Sequence, residues 1–326
     1  MEVILAKPRG FCAGVVRAIE IVETALDIYG HPVYVLHEIV HNHYVVKDLQ
    51  QRGAVFIESV SDVPTGAVLV FSAHGVSKVV TSAAQNRQLV TIDATCPLVA
   101  KVHLEVARFA REGREVVLIG HAGHPEVNGT LGQYHAEGDG SIYLVETVRD
   151  AGTLEVRHPG NVALVTQTTL SIDDTSRIIK VLRKRFPGIT EPRRDDICYA
   201  TQNRQNAVRQ LAGNVDVLLV VGARNSSNSN RLREVGAQMG VPSYLVQDSG
   251  EVDPAWFSHT DRVGVTAGAS APEVLVRGVL ALLYKLGAGH ATELDAPTEV
   301  TLFRLPGILQ RQLAGVTEGQ RLRRFL

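Results

Sequence analysis

One pattern occurs three times in this chain and limits what it can fold into. A cysteine stands at a predicted helix start; an apolar strand ending in a polar loop follows; after a crossover comes a second such strand and loop. The first copy runs from Cys12 through the strand Val33–Leu36 and its loop 37–42 to the strand Val68–Phe71 and its loop 72–77. The second runs from Cys96 through Val116–Ile119 and the loop 120–130 to Val162–Val165 and the loop 166–171. The third runs from Cys198 through Val217–Val221 and the loop 222–230 to Val263–Val265 and the loop 266–272. His41 follows Cys12 by 29 residues, and His124 and Ser226 each follow their cysteine by 28. His74, Thr168 and Ser270 lie 62, 72 and 72 residues past theirs. The repeat is one of architecture and not of residue identity.

Alternating helices and short β-branched strands predict an α/β fold with small parallel sheets. Parallel sheets gather their loops at one end. If three such units face one another around an axis, three cysteines and six polar loops share one cavity. The pattern divides the chain into units at 1–94, 95–194 and 195–281, with a C-terminal segment at 282–326. A strand is expected near Val300–Phe303. Arg304, Arg311, Arg321, Arg323 and Arg324 against Glu318 mark a basic tail that packs partly on the outside.

A net charge of −1, with 45% apolar and 21% charged residues, gives no global field toward nucleic acid or membrane. The longest apolar runs are strand-sized, and the first residues lack a signal-peptide pattern, so the chain reads as cytoplasmic. Three widely spaced cysteines argue against a disulfide framework there. Each sits where a helix dipole favours a thiolate, and three thiolates at one point make a metal site. Zinc would need a fourth ligand, which a histidine could supply. A 4Fe–4S cluster on three cysteines would keep one iron open. Spacing alone does not choose between them.

The remaining loops favour an anion. His41, His74 and His124 supply ring donors, while Ser226, Ser227, Asn228 and Ser270 supply hydroxyl and amide donors. Helix starts nearby add backbone N–H groups. The segment Gly123-His124-Pro125-Glu126-Val127 reads as a loop in which a proline narrows the geometry of a histidine and a carboxyl. A glutamate there donates a proton if its pKa is raised. No Gly-x-Gly-x-x-Gly or Walker motif occurs, and the run at Gly268–Pro272 has proline where a nucleophile elbow needs glycine.

These motifs resemble the IspH/LytB family of 4-hydroxy-3-methylbut-2-enyl diphosphate reductases. The resemblance rests on RGFCAGV at 9–15, HEIVHN at 37–42, SAHGVS at 72–77, DATCPLV at 93–99, GHPEV at 123–127, TQTTLS at 166–171, DDICYAT at 195–201, NSSNSNRL at 225–232 and TAGASAP at 266–272. It implies three pseudo-equivalent α/β units in a trefoil around one 4Fe–4S cluster held by Cys12, Cys96 and Cys198, with one open iron. It implies a diphosphate bound by His41, His74, His124, Ser226, Asn228 and Ser270, with Ser227 nearby. Glu126 is implied as proton donor, with Thr168 relaying the proton or positioning the group, and His124 beside them. The implied reaction is the last step of the non-mevalonate isoprenoid pathway, with electrons from ferredoxin or flavodoxin and no nucleic-acid or membrane partner. The chain reads as a monomer. Ala122 and the basic tail depart from the family pattern without touching a motif. A zinc hydrolase and a non-catalytic sensor are the competing readings.

Overall fold

The structure is a computed structural model and describes all residues except 136–137, 193, 259–260, 297–298 and 315–326. Its first stretch carries β1 (Glu2–Leu5), α1 (Ala13–Tyr29), β2 (Val33–Leu36), α2 (His43–Gln51), β3 (Ala54–Ile57), β4 (Val68–Phe71), α3 (Lys78–Asn86) and β5 (Val90–Asp93). The second carries α4 (Pro97–Arg111), β6 (Glu115–Ile119), α5 (Pro125–Leu131), β7 (Ile142–Val145), α6 (Val148–Thr153), β8 (Val162–Thr166) and α7 (Ile172–Arg185). The third carries α8 (Tyr199–Ala212), β9 (Val217–Val221), α9 (Ser227–Gln238), β10 (Ser243–Val246), β11 (Arg262–Ala267) and α10 (Glu273–Lys285), followed by β12 (Ala291–Glu293) and α11 (Gly307–Ala314).

Three parallel sheets form, and they share one plan. Their orders are β3-β2-β4-β5, β7-β6-β8 and β10-β9-β11-β1-β12. In each, the last strand of the unit is flanked by the segment that leads to the next cysteine. β5 pairs with β4 ahead of Cys96, and β1 pairs with β11 ahead of Cys12. In the second sheet the same place is taken by a single parallel bridge, Thr190 to Ala163, ahead of Cys198. The three units therefore interlock in a closed cycle. Sheet membership crosses the sequence division here: Glu2–Leu5 opens the first unit in sequence but extends the sheet of the third. Such non-local pairing leaves no local signature.

Apolar periodicity explains the packing. Val99, Val102, Val106 and Phe109 on α4 are buried; the last three join the core under β6 and β8, and Val99 lines the cavity. Fully buried β6, β8 and β9 carry continuous apolar runs, as strands covered on both faces do. In the C-terminal segment, Leu309 on α11 is fully buried in the core that includes α1, a contribution of roughly 2 kcal/mol.

The strand expected at Val300–Phe303 is not one. Those residues are irregular, with Val300 and Leu302 86% and 88% exposed. The sheet edge beside β1 is taken instead by Ala291–Glu293. The distal part of the basic tail, with Glu318, Arg321, Arg323 and Arg324, lies outside the described residues. Among the described residues no helix is long and apolar enough to cross a membrane.

Candidate functional site

The three cysteines are the N-caps of α1, α4 and α8. All three line one cavity of about 110 Å³, together with His41, His74, His124, Glu126, Thr168, Ser226, Ser227, Asn228 and Ser270. Every residue singled out from the sequence thus reaches the same space. The loops after the last strands hold the cysteines in place. The N–H of Cys12 donates to Ala269 O, that of Cys96 to Ala73 O and that of Cys198 to Thr168 O, at 2.9–3.2 Å.

Space between the thiols is kept open by Gly14, where an added Cβ would lie 2.7 Å from Cys96 Sγ and 3.8 Å from Cys12 Sγ. Burial pushes the Cys96 thiol up to about 12 and the Cys198 thiol up to about 11. At Cys96 and Cys198 desolvation outweighs the helix dipole expected to favour a thiolate, and a bound cation would ease their ionisation. Among the described residues no three His, Cys, Asp or Glu side chains close on a point that would hold one metal ion. The three thiols line one cavity beside Gly14, and a thiolate donor set of that kind is one that would hold a sulfur-ligated metal group.

The expected loop at Gly123–Val127 is in part a helix. His124 caps α5, Pro125 occupies its first turn and Glu126 lies within it. Pro125 is pre-organised for that position, whereas the glycines around it read as a loop. The glutamate N–H donates to His124 Nδ1 at 3.1 Å, so the neutral ring carries its proton on Nε2. Burial, with His41 and His121 nearby, lowers the His124 pKa to about 4. His74 is likewise lowered, by burial and by His41 and His124. The rings of His41 and His74 stack at 4.2 Å, with His124 edge-on to both at 5.4 and 5.8 Å.

Glu126 is buried, and burial raises its pKa to about 7, with Asp196 adding to the rise. The raised value that a proton-donating glutamate needs is thus supplied mainly by desolvation within the protein. Its Oε1 accepts from the Thr168 N–H at 2.6 Å and its Oε2 accepts from the Thr168 hydroxyl at 3.0 Å.

A second set of hydrogen-bonding groups lies at the start of α9. Ser226 caps the helix: its Oγ accepts from Ser229 N at 3.3 Å and Ser229 Oγ at 3.0 Å, which leaves its own proton for the cavity. Asn228 Oδ1 accepts from Ala269 N at 2.9 Å, while its buried Nδ2 has no partner among the described residues. His41 Nε2 is also buried without one. Ser270 Oγ donates to His41 O at 2.9 Å, and Ser227 Oγ to Thr169 O at 3.4 Å. Sequence reasoning missed Glu38, whose carboxylate meets His41 Nδ1 at 3.2 Å and Asn225 Nδ2 at 2.9 Å. It also missed Asp196, buried against Lys101. The HEIVHN and DDICYAT runs contained both.

Fold and cavity together define the class: a three-unit α/β enzyme that sets a buried acid and a bank of anion donors beside three thiols. Residues 3–284 match the family described as LytB protein, and the chain belongs to that family. It is 60% identical over 306 residues to the 4-hydroxy-3-methylbut-2-enyl diphosphate reductases of Pseudomonas putida F1 and of Pseudomonas syringae pv. tomato DC3000, covering 94% of this chain and 97% of each relative. Its fold matches the structure of the E-1-hydroxy-2-methyl-but-2-enyl-4-diphosphate reductase from Plasmodium falciparum with a TM-score of 0.90. That match has 36% identity and covers 96% of this chain and 98% of the other. A second structure matches with a TM-score of 0.64, at 34% identity over 87% of this chain and all of the other. It is described as (E)-4-hydroxy-3-methyl-but-2-enyl diphosphate reductase, the terminal enzyme of the non-mevalonate pathway. Membership makes the chain an iron–sulfur oxidoreductase.

Proposed function

We propose that this chain converts 4-hydroxy-3-methylbut-2-enyl diphosphate to isopentenyl and dimethylallyl diphosphate, using one 4Fe–4S cluster on Cys12, Cys96 and Cys198 with one iron left open. The reaction consumes two electrons and two protons. The carbon–oxygen bond of the allylic alcohol breaks, the oxygen leaves as water, and carbon receives the second proton. When bound, such a cluster would supply single electrons and Lewis-acid assistance to loss of the hydroxyl. Ferredoxin or flavodoxin delivers the electrons. The enzyme is cytoplasmic and acts as a monomer. On this reading residues 1–94, 95–194 and 195–281 each bring one cysteine and one wall of the cavity, and a C-terminal segment at 282–326 follows in sequence.

The protein's own groups divide the remaining work. The histidines, Ser226, Asn228 and Ser270 hold the diphosphate, which fixes the short carbon chain between the donors and the thiols. Glu126 holds the proton. Its Oε1 faces a fixed N–H donor, so Oε2 is the favoured site of protonation. A hydroxyl can exchange donor and acceptor roles. Thr168 Oγ1 can therefore accept from Oε2 and donate its own hydrogen into the cavity. A carboxyl titrating near 7 is matched to that task.

The observation that carries this reading is the buried Glu126–Thr168 pair in the cavity that all three cysteines share. The test is anaerobic reconstitution with iron and sulfide, followed by visible absorption and EPR with and without the hydroxylated diphosphate. A broad iron–sulfur absorption whose EPR spectrum changes on adding substrate is the expected result. A colourless protein that takes up zinc instead overturns it.

A further inference from the structure

Three cations that the chemistry above does not use repeat the cyclic plan of the sheets. Arg17 lies five residues past Cys12 on α1, Lys101 five past Cys96 on α4, and Arg204 six past Cys198 on α8. None serves the cysteine that starts its own helix. Arg17 Nη1 donates to Ala94 O at 3.3 Å and Thr95 O at 3.0 Å, immediately before Cys96. Lys101 Nζ donates to Arg194 O at 2.7 Å, Asp195 O at 3.2 Å and the Asp196 carboxylate at 3.1 Å, just before Cys198. Arg204 donates to Gly10 O at 2.7 and 3.0 Å and to Phe11 O at 3.3 Å, immediately before Cys12.

We propose that Arg17, Lys101 and Arg204 form a ring of positioning residues in which the helix beginning at each cysteine clamps the approach to the next cysteine around the pseudo-threefold axis. Runs of carbonyls turned the same way in a protein interior repel one another unless a shared donor satisfies them. A guanidinium fork or an ammonium with three protons meets two at once. Each cysteine N–H is also taken by a carbonyl from the preceding unit: Ala73 for Cys96, Thr168 for Cys198 and Ala269 for Cys12. The preceding unit thus holds a cysteine from both sides. No unit can move its thiol without moving a neighbour.

Two of the clamps also tie down the C-terminal segment. Arg17 Nε donates to Arg304 O at 2.8 Å, and Arg204 pairs with Glu299 at 3.1 Å. The segment 299–304 therefore spans from the third clamp to the first.

The ring rests on reading the cysteines as one ligand set, but its test does not need a cluster. Lys101 is the residue to change first, because its side chain is 29% exposed while Arg17 and Arg204 are buried. In cluster-free protein, alkylation of each cysteine is timed by mass spectrometry for wild type, Lys101→Met and Lys101→Arg. Lys101→Met should speed Cys198 about tenfold and leave Cys12 and Cys96 within about twofold. Lys101→Arg should restore the wild-type pattern. Arg17→Met, which removes the donor that Ala94 O and Thr95 O share, should speed Cys96 alone. Faster reaction at Cys96 in Lys101→Met, equal acceleration of all three thiols, or no change overturns the ring. Protein that shows the cyclic pattern yet binds no iron–sulfur cluster keeps the ring and sinks the reductase reading.

Discussion

Thr168 donates twice to Glu126, through its N–H to Oε1 at 2.6 Å and through its hydroxyl to Oε2 at 3.0 Å. The two contacts do different things. The N–H cannot turn round, so it fixes the carboxyl plane; the hydroxyl can reverse, so it can carry a proton. Glu126→Gln should keep the plane and lose the proton. We expect turnover to fall about 10²–10⁴-fold while iron content and substrate-induced EPR changes persist. Thr168→Val should lower turnover and Thr168→Ser should restore it. Steady-state assays with a chemical reductant check all three, and unchanged turnover in Glu126→Gln ends the proton-donor assignment.

The raised pKa of Glu126 has a direction that can be measured in two ways. Activity that needs the protonated acid should decline as pH rises through about 7, or higher once the anionic substrate is bound. Stability follows the same sign. Between the ordinary carboxyl value and about 7 the folded protein holds a proton that the unfolded chain has released, so stability falls as pH rises across that window. Removing the charge removes the penalty. At pH 8 the cluster-free Glu126→Gln protein should be more stable than wild type by up to about 3 kcal/mol, and at pH 4 the two should match. Denaturant titrations at both pH values check this.

Much of the site was legible because its residues sit in short runs at matched spacings. Cys12, Cys96 and Cys198 all prove to be helix caps, and His41, His74, His124, Ser226 and Ser270 all face their cavity. Counting residues misaligned one position. Ala73, Thr168 and Ala269 each lie two residues past their strand, so Thr168 matches the residues before His74 and Ser270 and not those two themselves. α5 was read as a loop because Gly129 and Gly132 masked the cap at His124. Val300–Phe303 looked like a strand because its residues favour one, but a strand needs an edge and Ala291–Glu293 occupies it. The clamps of Arg17, Lys101 and Arg204 join residues 77 to 194 apart in sequence, which no local pattern encodes.

The histidine cluster predicts proton uptake on binding. Burial and mutual proximity hold His124 at about 4 and His74 well below the ordinary value, so both are neutral near pH 7 in the free protein. A diphosphate beside them favours the charged rings and raises both values. Binding should therefore take up protons between about pH 5 and 7, and affinity should weaken as pH rises through that range. Calorimetry of the cluster-loaded protein in buffers of different ionisation enthalpy reads the uptake directly. Heats independent of buffer would mean that the rings act as neutral donors through Nε2–H.

Asn228 allows a separation of substrate binding from cofactor assembly. Its Oδ1 is fixed by the Ala269 N–H at 2.9 Å, and Ala269 O in turn takes the N–H of Cys12. Its Nδ2 is buried without a partner among the described residues, and a buried donor left unpaired costs about 1–3 kcal/mol. An anion oxygen at Nδ2 would relieve that cost, as the proposed diphosphate site requires. Asn228→Asp keeps the acceptor for Ala269 but replaces the donor with negative charge. It should raise KM for the diphosphate by about tenfold or more, with iron incorporation unchanged. Asn228→Ala should lose the Ala269 contact as well, and should therefore also slow cluster assembly at Cys12. Parallel measurement of KM and of iron bound per chain checks both variants. Equal KM in Asn228→Asp and wild type would remove Asn228 from the anion site.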